Sequence, residues 1–235
     1  MNQDCVHKTL GVCSIYWLMR NNHNFRTRHA VDAYGDFRTL WDTPIFESQN
    51  FVVIPTVGAL VEGWLLVVPR IPVLSFAQLQ KPLFSELDVF LRAIMPAIQS
   101  AYGSISLFEH GPAFKASAIG CGVDYAHLHL VPVDCDLLEG AKQIAPGIQW
   151  SRAETITDIR QHAKNANGYW FVQQSFDRGE CFIGTSTKEK PVSQLFRKVI
   201  ANQLGRPEDF DWKVYAGETE IAATIEKLSG SAILA

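Results

Sequence analysis

The chain has 235 residues, 47% of them hydrophobic and 19% charged, enough to bury a sizeable core as one extended domain or two small ones. A formal net charge of -3 argues against a nucleic-acid polymer as partner, but one phosphate needs only a helix end and a few donors, so a single nucleotide remains open. No apolar run approaches the ~20 residues of a membrane span, and the start MNQDCVHKTLG lacks the basic and apolar regions of a secretory signal, so a cytoplasmic location is expected.

The five cysteines, Cys5, Cys13, Cys121, Cys135 and Cys181, are scattered and odd in number, which fits free thiols in a reducing compartment. Residues 1–44 form an N-terminal extension in which Ser14 to Arg20 suits a short helix. The following polar stretch, with His23, Arg26, Arg28 and His29, is expected to be a solvated connection. From residue 45 to Pro55 an apolar run suits a strand, TVGALVEG a connection, and Trp64 to Pro69 a buried returning strand. Ser75 can cap a short helix, and a longer one is expected from near Pro82 to Gly103. Its apolar face carries Leu83, Leu87, Phe90, Leu91, Ile94 and Ile98, and Pro96 should kink it. Strands follow at Ile105 to Phe108 and Val123 to Val133. Two strands, a helix and two strands predict an α+β fold with an antiparallel sheet.

The last hundred residues predict strands at Ile148 to Arg152, Tyr169 to Ser175 and Cys181 to Ile183, with a turn at Phe176 to Gly179. A helix is expected over Val192 to Leu204, ended by Gly205, with Leu195, Phe196, Val199 and Ile200 inward and Arg197 a surface side chain. A final helix spans roughly Thr219 to Leu228.

Asp124 to Val133, DYAHLHLVPV, carries the chemistry. Its alternation puts Ala126, Leu128 and Leu130 on a core face and Tyr125, His127 and His129 on the other. Two imidazoles one strand period apart suit nucleophilic or acid–base work, because imidazole titrates near neutral pH and can attack phosphorus. Two ligands do not complete a zinc site.

This segment resembles the signature of the histidine triad family of nucleotide hydrolases and nucleotidyl transferases, His-φ-His-φ-His-φ-φ with φ apolar. The three histidine positions read Tyr125, His127 and His129 here, followed by Leu130 and Val131. The resemblance extends through GCGV (Gly120 to Val123), FEHGP (Phe108 to Pro112, a strand end and Gly-Pro turn) and the opening hairpin Glu47 to Arg70. It departs at Tyr125, where the family has its first triad histidine, and at Trp64, where it has a histidine after the hairpin glycine.

The resemblance implies an antiparallel sheet of histidine triad type with a long helix over residues 45–135, and an additional α+β layer, residues 136–235, packed on that core. It makes His127 the nucleophile, forming a nucleotidyl-histidine, oriented by the main-chain carbonyl of residue 125, which survives the change to tyrosine. His129 would bond a phosphate oxygen or help protonate the leaving group. Cys121 and Gly122 would lie in the phosphate loop, Glu109 at a place where some members help bind the phosphates, and His110 beside it as a replacement donor. Tyr125 and Trp64 would border the substrate, and the hairpin from Phe51 to Pro69 would line the base. The implied substrate is a nucleoside phosphate derivative, such as a dinucleoside polyphosphate or a nucleoside phosphoramidate. A homodimer, commonly formed through the long helix in the family, is a further implication. Some members carry an N-terminal zinc site on a close cysteine pair; seven residues separate Cys5 from Cys13, and half-buried cysteines are preferred there over a site with His7. The resemblance implies no particular cofactor, and a divalent metal ion is the one left open. The alternatives are a catalytically degenerate nucleotide-binding protein and a metal-binding module using His110, His127 and His129.

Overall fold

The computed structural model describes residues 43–163, 166–177, 179–186 and 191–229. The expectations for residues 1–42, including Cys5, His7 and Cys13, lie outside them. Eight strands form one sheet: β1 Phe46–Glu47, β2 Phe51–Pro55, β3 Leu65–Pro69, β4 Ser106–Pro112, β5 Leu128–Val131, β6 Gln149–Ala153, β7 Gly168–Gln173 and β8 Cys181–Thr185. Their order across the sheet is β1-β2-β3-β5-β4-β7-β8-β6, and every pairing is antiparallel. The helices are α1 Lys81–Tyr102, α2 Leu137–Ile144, α3 Ile159–His162, α4 Leu195–Gln203 and α5 Glu218–Leu228.

Side-chain alternation gives the sheet two buried faces. Phe51, Val53, Leu65, Val67, Leu107, Leu128, Leu130, Tyr169 and Phe171 pack with the α1 stripe in one cluster. Trp64, Phe108, Val131, Trp170 and Val172 pack with apolar side chains of α2, α4 and α5 in another. Each face therefore buries a separate core, and both apolar faces leave water. The three C-terminal strands extend the same sheet through the β4–β7 pairing, while α2, α4 and α5 cover one face.

Several expectations shift in detail. Helix α1 runs through Pro96 without a break and buries Phe84, whereas Leu83 is only partly buried. The Gly-Pro pair, expected as a turn, lies inside β4, because β7 pairs with it as far as Pro112↔Gly168. The ring of Tyr169 lies directly over Gly111, where a Cβ would stand 2.1 Å from it. Strand β5 begins only at Leu128; the residues before it bond to the loop beyond β3, through Ala126 N to Val73 O at 2.8 Å. Helix α2 was not foreseen. Its start is marked by Asp136, whose side chain accepts the Glu139 N–H at 2.9 Å, a local cap readable as Asp-x-x-Glu.

Candidate functional site

The histidine segment enters β5 with its alternation intact. Ala126, Leu128 and Leu130 join the α1-side core, while Tyr125, His127 and His129 turn to the face covered by the C-terminal helices. His129 is held on both sides. Its ring stacks on Phe108 with centroids 4.2 Å apart, and its Nδ1 accepts the indole N–H of Trp64 at 3.0 Å. An indole N–H only donates, so neutral His129 carries its proton on Nε2. His127 Nδ1 lies 2.7 Å from the carbonyl oxygen of Tyr125. A carbonyl only accepts, so this nitrogen carries the proton and Nε2 keeps its lone pair. His110 Nε2 accepts the Phe196 N–H at 3.3 Å, which puts its proton on Nδ1.

The three rings form one cluster, with His127 5.1 Å and His110 6.2 Å from His129 between centroids. All three are buried, with 8% exposure at most. Burial is the first cause that lowers each imidazole below its ordinary value. For His110, pushed down to about 3, the second cause is His127. His129 lies well below the ordinary value and also feels His127, His110 and Arg197. For His127 the bond to the Tyr125 carbonyl partly offsets the lowering. Neutral, nucleophilic imidazole is thus the favoured form. Each ring commits one nitrogen to a neighbour, and among the described residues no group of three or more His, Cys, Asp or Glu could hold a metal ion. The cluster is an aromatic, hydrogen-bonded unit rather than a ligand set.

Helix α4 closes the site from above. At its start, Gln194 N donates to Cys121 Sγ at 3.1 Å and Phe196 N donates to His110. Burial pushes the Cys121 thiol up to about 11, so it stands as a neutral thiol. Gly122 beside it is exposed. Tyr125 donates its hydroxyl to the Pro69 carbonyl at 3.1 Å, so its side chain ties the histidine segment to β3.

One expected substrate contact stands on the other side of the sheet. Glu109 lies on the opposite face of β4, 1% exposed. It accepts the Phe76 N–H at 2.8 Å and pairs with the hydroxyl of Tyr169. The alternation that sends Phe108 and His110 to the histidines sends Glu109 away. Near its Tyr169 partner, on the α1 side, a cleft of about 770 Å3 is lined by residues that include Ser75, Lys81, Gly111, Arg160 and Tyr169. Trp64 is fully buried beside His129, to whose Nδ1 it donates.

Arg197, expected at the surface, is 3% exposed. Its guanidinium sits 4.8 Å over the Trp64 ring and donates to the carbonyls of Phe210, at 2.7 Å, and Gly58. Its position falls outside the apolar stripe of α4. It is buried because the segment around Phe210 forms a second cover over that helix, and such a long-range cover leaves no mark in the local pattern. Trp212, also part of this cover, carries the same lesson, whereas Phe196 is buried on α4 as its spacing predicts.

No family model matches the chain, and no curated protein matches it. Among solved structures, it is similar to a hypothetical histidine triad nucleotide-binding protein from Sulfolobus tokodaii strain 7, with 18% identity and a TM-score of 0.33 over 40% of this chain. It spans 62% of that protein's length. It is also similar to a Hit-like protein involved in cell-cycle regulation from Bartonella henselae, with 16% identity and a TM-score of 0.32, covering 44% of this chain and 81% of the other. Among the described residues no helix is long and apolar enough to cross a membrane.

Proposed function

We propose that the protein is a nucleotide hydrolase or nucleotidyl transferase of histidine triad type, with His127 as its nucleophile. The observation that carries this reading is the 2.7 Å contact of His127 Nδ1 with the Tyr125 carbonyl. It holds the proton on one nitrogen and leaves Nε2 free to attack phosphorus, which is what a nucleotidyl-histidine intermediate requires. Attack forms the P–N bond and expels the leaving group, which takes up a proton. Water or another acceptor then displaces the imidazole and restores it. His129, with its proton on Nε2, is the neighbouring donor for a phosphate oxygen. The substrate is a nucleoside phosphate derivative. In this reading residues 45–135 hold the chemistry, and residues 136–235 are an accessory layer packed on that core.

A second reading, a nucleotide-binding protein that no longer turns over, is favoured by a specific observation: Trp64 holds His129 Nδ1 and the histidines are buried beneath α4. Incubation with a nucleoside phosphoramidate or dinucleoside polyphosphate carrying a labelled α-phosphate separates the two. A covalent nucleotidyl-protein that disappears in His127→Ala supports the enzyme. Saturable nucleotide binding without label on the protein supports the second reading.

A further inference from the structure

The α1 side of the sheet carries a cavity that the histidine chemistry does not use. This cleft of about 770 Å3 is bordered by the starts of α1 and α3 and by the paired ends of β4 and β7. Its volume falls within the roughly 300–1,000 Å3 of small-molecule sites. Hydrogen bonds of the fold hold its walls. Phe76 N donates to Glu109 Oε1 at 2.8 Å, and Ala77 N donates to the Tyr169 hydroxyl at 3.2 Å. On another wall, Asp158 Oδ2 accepts Glu154 N at 2.9 Å and Thr155 N at 3.3 Å, which fixes the turn leading into α3. The cavity is therefore formed before any ligand arrives, as binding sites usually are.

Its charges are not balanced from within. Most basic side chains among the described residues have a partner close by. Arg70, Arg92, Lys142, Arg152 and Arg206 face a carboxylate. Arg197, Lys198, Lys213 and Lys227 face an aromatic ring. Among the described residues Lys81, Lys115 and Arg160 have neither, and Lys81 and Arg160 line this same cleft. The carboxylate in its lining, Asp158, is already bonded to two backbone N–H groups. Behind Tyr169, burial pushes the Glu109 carboxyl up to about 8, so at neutral pH it is mainly uncharged. The start of α1 adds to the positive sign, since its first turn holds no acidic residue. Both cations are exposed, so neither is spent on holding the fold. Beside them the lining turns apolar, with Ala77, Phe84 and Pro112.

We propose that this cleft is a second ligand site, taking a small organic anion. The carboxylate or phosphate of the ligand pairs with Lys81 and Arg160, and its apolar body rests against Ala77, Phe84 and Pro112. A guanidinium can bond two oxygens of such a group at once, while the flexible ammonium adds a point charge. The cleft lies on the face of the sheet away from His127. It therefore stands or falls independently of the nucleotide reading.

The test uses the full chain, with phenyl phosphate, benzoate, benzyl alcohol and inorganic phosphate as probes. Binding is read from the amide resonances of Gly111 and Gly168, two glycines of the lining. At least one of the organic anions should shift both resonances saturably at millimolar concentration, and the tighter of the two names the headgroup. Replacing both cations, Lys81→Gln with Arg160→Gln, should weaken that binding about tenfold or more, since each change removes a charge-assisted bond. The single variants should fall between. Both positions are exposed, and an unchanged melting temperature shows that the variants are folded. His127→Ala should bind the anion as the parent does. The proposal is overturned if benzyl alcohol or inorganic phosphate binds as tightly as the organic anions, or if the double variant binds like the parent. It is also overturned if no probe shifts both glycines. Loss of binding in His127→Ala would overturn it too, by assigning the anion to the histidine face.

Discussion

The two faces of the sheet bury polar groups of opposite character. Toward α1, Glu109 and Tyr169 share a proton-bearing contact deep in an apolar layer. Toward the C-terminal helices, His110, His127 and His129 cluster with Arg197 and Trp64 nearby. Burial favours the neutral form on both sides, so it raises the acid and lowers the bases. Of these two buried clusters, the histidines are the one that leaves a lone pair unclaimed, at His127 Nε2. The Glu109 carboxyl is engaged at both oxygens and serves to hold the segment around Phe76 against the sheet.

The sharpest way to break this contrast is at His127, the proposed nucleophile. His127→Ala should abolish covalent labelling and lower turnover by orders of magnitude, because no other imidazole in the cluster has the same free nitrogen. Tyr125→Phe keeps the carbonyl and loses only the hydroxyl bond to Pro69. That bond is worth ~0.5–1.5 kcal/mol, at most about tenfold in rate. Equal losses in both variants would place the tyrosine hydroxyl in the chemistry. Steady-state rates on folded variants decide it.

Next in size is Arg197→Met. The change removes the donor from two carbonyls, Phe210 and Gly58. Hydrogen bonds from a charged group are worth ~1.5–3 kcal/mol each, so a loss of about 3 kcal/mol or more in urea unfolding is expected. The α1 face should be untouched, which hydrogen exchange at Phe76 can check. A loss below about 0.5 kcal/mol would return Arg197 to the surface role first expected for it. Trp64→Phe should cost less, roughly 1–3 kcal/mol, chiefly by leaving His129 Nδ1 without its donor. The smaller ring also alters packing, so the diagnostic readout is the His129 ring proton and nitrogen shifts, which should report a change of tautomer.

How much of this was legible follows from which signals are local. The alternation in Tyr125 to Leu130 placed the histidines on one face even where the strand had not begun, because side-chain direction depends on extended backbone and not on ladder bonds. The apolar stripe of α1 was visible because helical spacing is likewise a local signal. Glu109 was misassigned although the identical alternation rule applies to it: its neighbours Phe108 and His110 turn to the histidines, so Glu109 cannot. The burial of Arg197 and the packing of Trp212 were out of reach, since each depends on a cover joining residues more than a hundred positions apart. The role of Trp64 was partly readable. A tryptophan in the place of a histidine still offers an N–H, but only the fold shows that it goes to His129.

The smallest effect at neutral pH, and the one that tests both faces together, is Glu109→Gln. The folded value of Glu109 is raised to about 8 from an ordinary 4.5, with burial outweighing the bonds from Tyr169 and Phe76. Its contribution to stability is therefore fully present below about pH 4.5 and is lost as the pH rises through about 8. The histidines run the other way. Their folded values lie below the ordinary 6.5, so their contribution is present above that pH and is lost as the pH falls. The parent should thus lose stability on both sides of an optimum. Glutamine mimics the protonated acid: its carbonyl accepts the Phe76 N–H and its amide donates to the Tyr169 oxygen. Glu109→Gln should therefore flatten the alkaline limb between about pH 5 and 8 and leave the acid limb unchanged. Melting temperatures across this range measure it, with the advantage over the parent growing as the pH rises. If glutamine lowers the melting temperature equally at every pH, the carboxyl is held ionised in the fold, and the contrast between the two faces is lost on the α1 side.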